Sequence, residues 1–418
     1  MNRHAETLAV VDLGTYRCCC LIAEVAGPGQ LEVIGLGSRR TDGIRRGVIV
    51  NLEALVGSIK DAIEQAESMA GRSVETVVAT VPAAQVRSFT SRGVVTIAGR
   101  DRVVSRRDLE RVLATVRAVQ IPDGQSTLHA LPQEYTLDGQ EEIQDPVGMT
   151  GARLEASVHV VTVPRQAAQH VVSALNRARV DVAGLVFPLL ASSEAVLTRE
   201  EREQGVFLID CGGGTTDVAL FERGALWFTG SIPIAGELVT NDISIGLRTP
   251  VPDAETIKRT HARATPGGDE DLPLEVPPIG GGQPRLVAGS VLTQVVEPRV
   301  REIFELVRAK LERTNLLSRA PAGAVIVGGT ANLEGLLEVA EDTLGIPCRL
   351  GVPLGVGGLT EDIRAPSFAT PVGLALWELR RGRPQRSREG AARRRRKAVA
   401  GGMRAVVDSA RAWLGGMF

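Results

Sequence analysis

The chain has 418 residues, is 44% apolar and carries a formal net charge of -1. It is long enough to bury a large core and to divide into more than one domain. Its near-neutral balance excludes the basic field of a whole-protein nucleic-acid binder. Residues 2–6 run straight into a strand without a signal-peptide pattern, and no apolar run reaches the length of a membrane span. The five cysteines are Cys18, Cys19, Cys20, Cys211 and Cys348. With no C-x-x-C among them, they read as buried reduced thiols in a reducing, cytoplasmic compartment.

In chain order, residues 7–13, 18–25 and 31–37 read as a three-strand meander. Leu52, Leu55, Val56, Ile59, Ile63 and Ala66 recur at helical spacing, so 52–70 is an amphipathic helix. A strand at 76–81 stops at Pro82. Residues 82–161 read as a small inserted α+β subdomain. It holds a strand at 93–98, a Ser105/Asp108 capping box before a helix carrying Leu109, Val112, Leu113 and Val116 on one face, and strands at 128–137 and 154–163 around a loop at 145–151. Residues 166–178 are helical, and 185–197 is an apolar, helix-prone stretch. A second irregular insertion spans 227–300, with a loop-rich middle at 265–284. A long helix follows at 294–316. A strand at 324–327 enters a glycine turn, Asn332 begins the next helix, and the folded body ends near Arg380.

Two segments carry the chemistry. Asp12-Leu-Gly-Thr-Tyr-Arg17 and Asp210-Cys-Gly-Gly-Gly-Thr-Thr-Asp217 each sit between apolar runs, one in each half of the chain. Each reads as a strand, a tight glycine turn and a returning strand. Glycine at the bend lets backbone N–H groups approach an anion with no Cβ in the way. The aspartates at the strand ends can hold Mg²⁺ through water. Two such turns in matching contexts imply duplicated lobes closing on a nucleotide. Gly328-Gly329-Thr330 is a third glycine turn after a buried strand, where a base can lie against the backbone. Glu255 and Lys258 share one helical face: the carboxylate can accept from ribose hydroxyls and the Lys stem can cover the base. The same spacing also suits an ordinary solvated helical pair.

These three turns in this order resemble the nucleotide signature of the actin/Hsp70/sugar-kinase superfamily. Several segments resemble FtsA, the actin-like family of bacterial cell division, more closely: Thr41-Asp-Gly-Ile-Arg-Arg-Gly-Val-Ile-Val-Asn51, His129-Ala-Leu-Pro-Gln-Glu-Tyr-Thr-Leu-Asp-Gly139, Asp145-Pro-Val-Gly-Met149, Leu190-Ala-Ser-Ser-Glu-Ala-Val-Leu197, Ala254-Glu-Thr-Ile-Lys258 and Glu302-Ile-Phe-Glu-Leu-Val307. The resemblance covers residues 5–380 and the last residues of the chain. It implies an actin-like two-lobed α/β ATPase fold with two inserted subdomains, a disordered basic linker and a C-terminal amphipathic helix. Residues 5–81 and 162–192 would form the first lobe, and 193–226 with 301–382 the second. Residues 82–161 would be the insertion that receives later division proteins. Residues 227–300 would bind the C-terminal tail of the tubulin-like division protein FtsZ.

The resemblance also implies site roles. Asp12, Gly14, Thr15 and Arg17 would line the first phosphate turn, and Gly212, Gly213, Gly214, Thr215 and Thr216 the second. Asp12, Asp210 and Asp217 would sit near Mg²⁺. Gly236, Glu255, Lys258, Gly328, Gly329 and Thr330 would surround the nucleoside of ATP. Arg17 stands where the family usually has Lys, and its planar fork contacts phosphate differently. Hsp70-like relatives place Asn-Glu-Pro before the connecting helix, where a group must orient the attacking water. Here the stretch is Val186-Phe187-Pro188, so no catalytic residue is assigned. Ser192, Ser193 and Glu194 are the available substitutes, read as structural. ATP binding with weak or undetectable hydrolysis is expected.

After Arg380 the composition turns basic. Residues 383–400 hold an arginine run with few apolar groups, which cannot fold alone. In 401–418, Met403, Val406, Val407, Ala410, Trp413, Leu414, Met417 and Phe418 follow helical spacing, opposite Arg404, Asp408 and Arg411. This is the pattern of a helix lying in a membrane surface. The combined expectation is a peripheral protein on the cytoplasmic face of the inner membrane at the division site. It would form filaments with itself, bind anionic lipids, anchor the FtsZ ring and recruit later division proteins, with no nucleic-acid partner. The competing expectations are an actin-like pilus-assembly scaffold of the PilM type and a sugar-kinase-like phosphotransferase.

Overall fold

The computed structural model describes residues 6–27, 29–118, 121–267 and 273–381. The basic linker at 383–400 and the amphipathic helix at 401–418 lie outside the described residues.

Two sheets share one plan. The first has six strands in the order Asp181–Val186, Thr76–Thr80, Thr7–Leu13, Arg17–Gly27, Gln30–Arg40, Val356–Gly358. The second has five, in the order Ala225–Ile232, Thr216–Glu222, Val206–Cys211, Ala324–Val327, Cys348–Leu350. In each, three consecutive strands form an antiparallel meander, and two later strands add in parallel beside the first of them. The duplication implied by the two glycine turns is therefore a duplication of whole sheets.

Helix Leu52–Ala70 covers one face of the first sheet. Asn51 caps its start by accepting from the Ala54 N–H, and Gly71 ends it in the left-handed region at φ 62°. Its buried stripe includes Leu55, Val56, Ile59, Ala62 and Ile63, the 3/4 spacing seen in the sequence. The helix lies so close that a Cβ on Gly37 would collide with the Ala62 carbonyl. The opposite face carries helices Pro188–Val196 and Ala369–Arg380, which pack on each other at Gly373 against Ala191. In the second sheet alternation divides strands Val206–Cys211, Thr216–Glu222 and Ala324–Val327 between two cores. Val206 and Leu208 face the first core, whereas Phe207, Ile209 and Cys211 face a second one under helices Gly236–Gly246, Gly289–Arg313 and Leu336–Leu344.

A separate four-stranded sheet, ordered Arg87–Thr96, Arg153–Pro164, Gln125–Leu137, Gln140–Ile143, carries helix Arg106–Arg117 and its own apolar core. The Ser105/Asp108 capping box forms. This inserted unit touches both lobes. The Gln133 amide donates to the Leu226 carbonyl at 3.1 Å, and Arg223 pairs with Glu142 at 2.6 Å. His129 Nε2 accepts the Phe187 N–H at 3.0 Å. Burial lowers the His129 pKa to about 3, so it stays neutral and serves as a brace.

Four expectations need correction. Residues 356–381 do not stay with the second lobe: Val356–Gly358 pairs with Gln30–Arg40, and Ala369–Arg380 packs on the first sheet. The 227–300 segment is no free-standing insertion. Its first residues belong to edge strand Ala225–Ile232, and its helices share the second core. The 185–197 stretch is a strand, Asp181–Val186, followed by a helix, Pro188–Val196. Its final residues, Leu185 and Val186, are buried, so they merge with the apolar helix after them and show no alternation. Asn332 closes a short 3₁₀ turn, and the next helix starts at Leu336.

The close helix contact gives a paired stability prediction. Gly37→Ala forces overpacking and lowers unfolding stability by about 1–3 kcal/mol. Gly57→Ala, on the exposed face of the same helix with no atom near its Cβ position, raises stability by about 0.5–1 kcal/mol. Chemical denaturation of both variants measures the two signs side by side.

Candidate functional site

The two glycine turns have the same construction. The last strand pair of the first is Leu13 with Cys18, and the Gly14 N–H donates to the Arg17 carbonyl at 3.0 Å. The last pair of the second is Cys211 with Thr216, and the Gly212 N–H donates to the Thr215 carbonyl at 3.0 Å. The turns face each other across the cleft between the sheets. A Cβ on Gly213 would lie 2.9 Å from Tyr16 Cβ, and one on Gly214 would lie 2.8 Å from Thr15 Cγ2. Glycine is needed at both positions for close approach, since neither has positive φ.

Three carboxylates lie at the base of the turns. Asp12 and Asp210 occupy equivalent positions, each two residues before the turn glycine. Asp217 pairs with Asp210 across the strands. Asp12 accepts from the Thr80 hydroxyl at 2.9 Å, and the same hydroxyl accepts from the Leu13 N–H. Asp217 Oδ2 accepts from the Thr215 hydroxyl at 2.9 Å, while its buried Oδ1 has no partner in hydrogen-bond geometry, although the Ser231 side chain lies beside the carboxylate and favours its charged form. Burial, then the charges of Asp217 and Asp12, pushes the Asp210 carboxyl up to about 8. Burial pushes Asp217 up to about 6 and raises Asp12. The charges of Arg17, on Asp12 and Asp210, and of Lys310, on Asp217, offset this only in part. The trio fits a hydrated divalent cation, with the unpaired Asp217 oxygen and Asp210 as the groups that would hold its water shell. No cluster of three or more His, Cys, Asp or Glu suited to direct chelation is present among the described residues.

The second turn is tied back at its first two residues. The Gly236 and Glu237 N–H groups donate to the Gly212 and Gly213 carbonyls at 3.2 and 2.7 Å, and the Thr330 hydroxyl donates to the Gly212 carbonyl at 2.7 Å. Gly328 takes φ 96° with Asp210 against the place its Cβ would occupy. Gly329 has open space beside it. Glu255 and Lys258 join this group and are no solvated pair. Each side chain is only 14% exposed, with Nζ to Oε2 at 2.7 Å. Lys258 also donates to the Gly236 carbonyl at 3.1 Å and to Thr240 Oγ1 at 2.7 Å, and that hydroxyl donates to Glu255. The structure thus brings Gly236, Glu255, Lys258, Gly328 and Thr330 to one end of the second turn.

Arg17 departs from its expected place. Its backbone belongs to the first turn, but its guanidinium donates to the Ser367 carbonyl and stacks on the Phe368 ring at 4.1 Å. Ser192 donates to the Pro188 carbonyl and bonds the Thr370 hydroxyl; Ser193 donates to the Leu190 carbonyl. Glu194 pairs with Arg202 and Arg380. All three are structural.

Two contributors escaped the sequence reading. One is Thr80, whose neighbours Val78 and Ala79 read only as a strand. The other is the tip Arg46–Gly47 of a small hairpin, Ile44–Arg45 paired with Val48–Ile49. The Gly47 N–H donates to Thr15 Oγ1 at 3.0 Å. Its only local signal is a residue followed by Gly between Ile44-Arg45 and Val48-Ile49, a two-residue hairpin turn.

A duplicated meander whose two turns face each other defines an actin-like two-lobed protein. The solved PilM–PilN type IV pilus biogenesis complex shares this fold with a TM-score of 0.63 at 19% identity, covering 89% of this chain and 98% of that one. MreB5 of Spiroplasma citri, bound to ADP, does so with a TM-score of 0.54 at 14% identity, covering 94% and 99%. Sequence comparison is more specific. The family described as cell division protein FtsA matches residues 207–373, and the SHS2 domain inserted in FtsA matches residues 83–162. The cell division protein FtsA of Pseudomonas aeruginosa is 44% identical over 374 residues, covering 89% of each chain. This chain belongs to the FtsA family of cell division proteins.

The raised carboxyls set a pH dependence. An aspartate with a folded pKa above its unfolded value binds more protons when folded, so its stabilising contribution is full below about 4 and is lost as pH rises. For Asp210 the loss runs from about pH 4 to about pH 8. Thermal melts without nucleotide should fall across pH 5 to 8, and Asp210→Asn should flatten the slope.

Proposed function

We propose that the chain is an ATP-binding, actin-like scaffold of cell division that polymerises on the cytoplasmic membrane and anchors the FtsZ ring to it. The observation that carries the nucleotide part is the pair of opposed glycine turns above three buried carboxylates. Phosphates would lie between the turns, with Mg²⁺ held through water by Asp12, Asp210 and Asp217. The base and ribose would take the pocket at Gly236, Glu255, Lys258 and Gly329. The nucleotide-bound state of the MreB5 structure, a protein of the same fold, supports this use of the cleft.

Membership in a cell division family supports the rest. The tail pattern of Met403, Val406, Val407, Ala410, Trp413, Leu414, Met417 and Phe418 suits an in-plane anchor. One short helix holds weakly. The basic run adds on the order of 1 kcal/mol per residue near an anionic leaflet, and a filament multiplies the anchors. The 227–300 region would take the FtsZ tail, and the inserted subdomain at 82–161 the later division proteins. ATP would act as a conformational ligand, with weak or undetectable turnover. The pilus-scaffold reading has only the fold in its favour.

Co-sedimentation with anionic liposomes in ATP tests the membrane part. The full chain should pellet, while a truncation after Arg381 and Trp413→Glu should stay in the supernatant. Equal behaviour of all three would remove the tail as the anchor.

A further inference from the structure

Phosphates between the two turns need a cation besides Mg²⁺, and the residue in the sequence position for it is committed elsewhere. Arg17 spends its guanidinium on Ser367 and Phe368. Arg40 rests over the Tyr16 ring and Lys310 lies by Asp217 at the base of the strands; Arg46 is the cationic residue whose backbone meets the second turn at Gly214. This residue sits at the hairpin tip in the left-handed region, φ 46°, followed by Gly47 at φ 69°. Such backbone is unusual for a residue with a side chain and persists when the surroundings hold it.

The tip touches both turns. The Gly47 N–H is fastened to Thr15 of the first. A Cβ on Gly214 of the second would lie 2.8 Å from Arg46 Cα, and Thr215 Cγ2 lies 3.3 Å from the Gly47 Cβ position. Arg46 is exposed, and no carboxylate pairs with it among the described residues.

The contacts also give a direction. At Gly212 and Gly213 the second turn is held by Gly236, Glu237 and Thr330, the end where the nucleoside pocket forms. At Gly214 and Thr215 it meets the hairpin tip. A phosphate chain running from the pocket along the turn reaches the tip with its last phosphate.

We propose that Arg46 binds the terminal phosphate of a nucleoside triphosphate, so that the hairpin tip distinguishes triphosphate from diphosphate. This rests on the nucleotide reading above and adds a specificity residue to it. A guanidinium on a phosphate oxygen makes charge-assisted, often bidentate bonds. Losing it should affect ATP and spare ADP, which lacks that phosphate.

The test is calorimetric titration of the full chain with Mg·ATP and Mg·ADP, in wild type, Arg46→Gly, Arg46→Gln and Arg46→Lys. Glycine accepts the left-handed backbone, glutamine keeps the stem without the charge, and lysine keeps the charge without the fork. The expected result is a loss of about tenfold or more in ATP affinity for the glycine and glutamine variants. ADP affinity should change less than about threefold, with partial recovery for lysine. An unchanged ATP-to-ADP ratio in both neutral variants, or an equal loss for both nucleotides, overturns the assignment while the nucleotide reading stands. A wild-type chain that binds neither nucleotide overturns both.

Discussion

The close approach of the two glycine turns is the constraint on which the rest depends. Gly213 and Gly214 lie against Tyr16 and Thr15 with no room for a side chain between them. For the turns to meet, the two sheets must present the same edge of the same meander to one cleft. The duplicated strand order does this. It also brings Asp12 and Asp210 to equivalent depths, where burial raises both protonation equilibria and the charges of Asp217 and Asp12 push Asp210 up further. Buried carboxyls with raised protonation equilibria gain from a cation placed beside them, which favours their ionised form.

The lobes are joined by more than the cleft. The chain crosses back at Val356–Gly358 and ends its described part as helix Ala369–Arg380 on the first sheet. The turn just before that helix, Pro366–Phe368, receives Arg17 from the first phosphate turn, and its Pro366 carbonyl accepts from the Gly328 N–H. Two of the three glycine turns therefore bear on the start of the final helix, after which the basic tail begins. The inserted subdomain adds a second bridge through Gln133 and Arg223 to strand Ala225–Ile232 and the turn before it. A relative movement of the lobes would have to break or carry these contacts. Nucleotide occupancy and assembly state can be coupled by that geometry without any chemical step.

Much of this was legible in the sequence because it is local. Alternation marked the meander, 3/4 spacing marked helix Leu52–Ala70, and Asp-x-Gly turns marked the cleft. The illegible parts are long-range. Strand Asp181–Val186 ends in buried residues that run into the apolar helix after them, so its pattern does not separate from helix. The return of residues from 356 to the first lobe depends on Gly373 fitting against Ala191, which no spacing rule reveals. Arg17 read as a phosphate ligand by its position, but Phe368, distant in sequence, offers the guanidinium a ring face. Arg46 gives only a hairpin signal, since the contacts of the hairpin tip, Gly47 with Thr15 and Arg46 with Gly214, are long-range. Glu255 and Lys258 were ambiguous until Thr240 and Gly236 were seen to enclose them.

The central claim is that a nucleotide-loaded actin-like scaffold links FtsZ to the membrane. The most direct measurement is recruitment of FtsZ to anionic liposomes by the full chain, compared with and without Mg·ATP. The account predicts that FtsZ sediments with the liposomes when the chain and Mg·ATP are both present, and that deleting the FtsZ C-terminal tail abolishes this. If the chain coats the liposomes in Mg·ATP while intact FtsZ stays in solution, the account is contradicted.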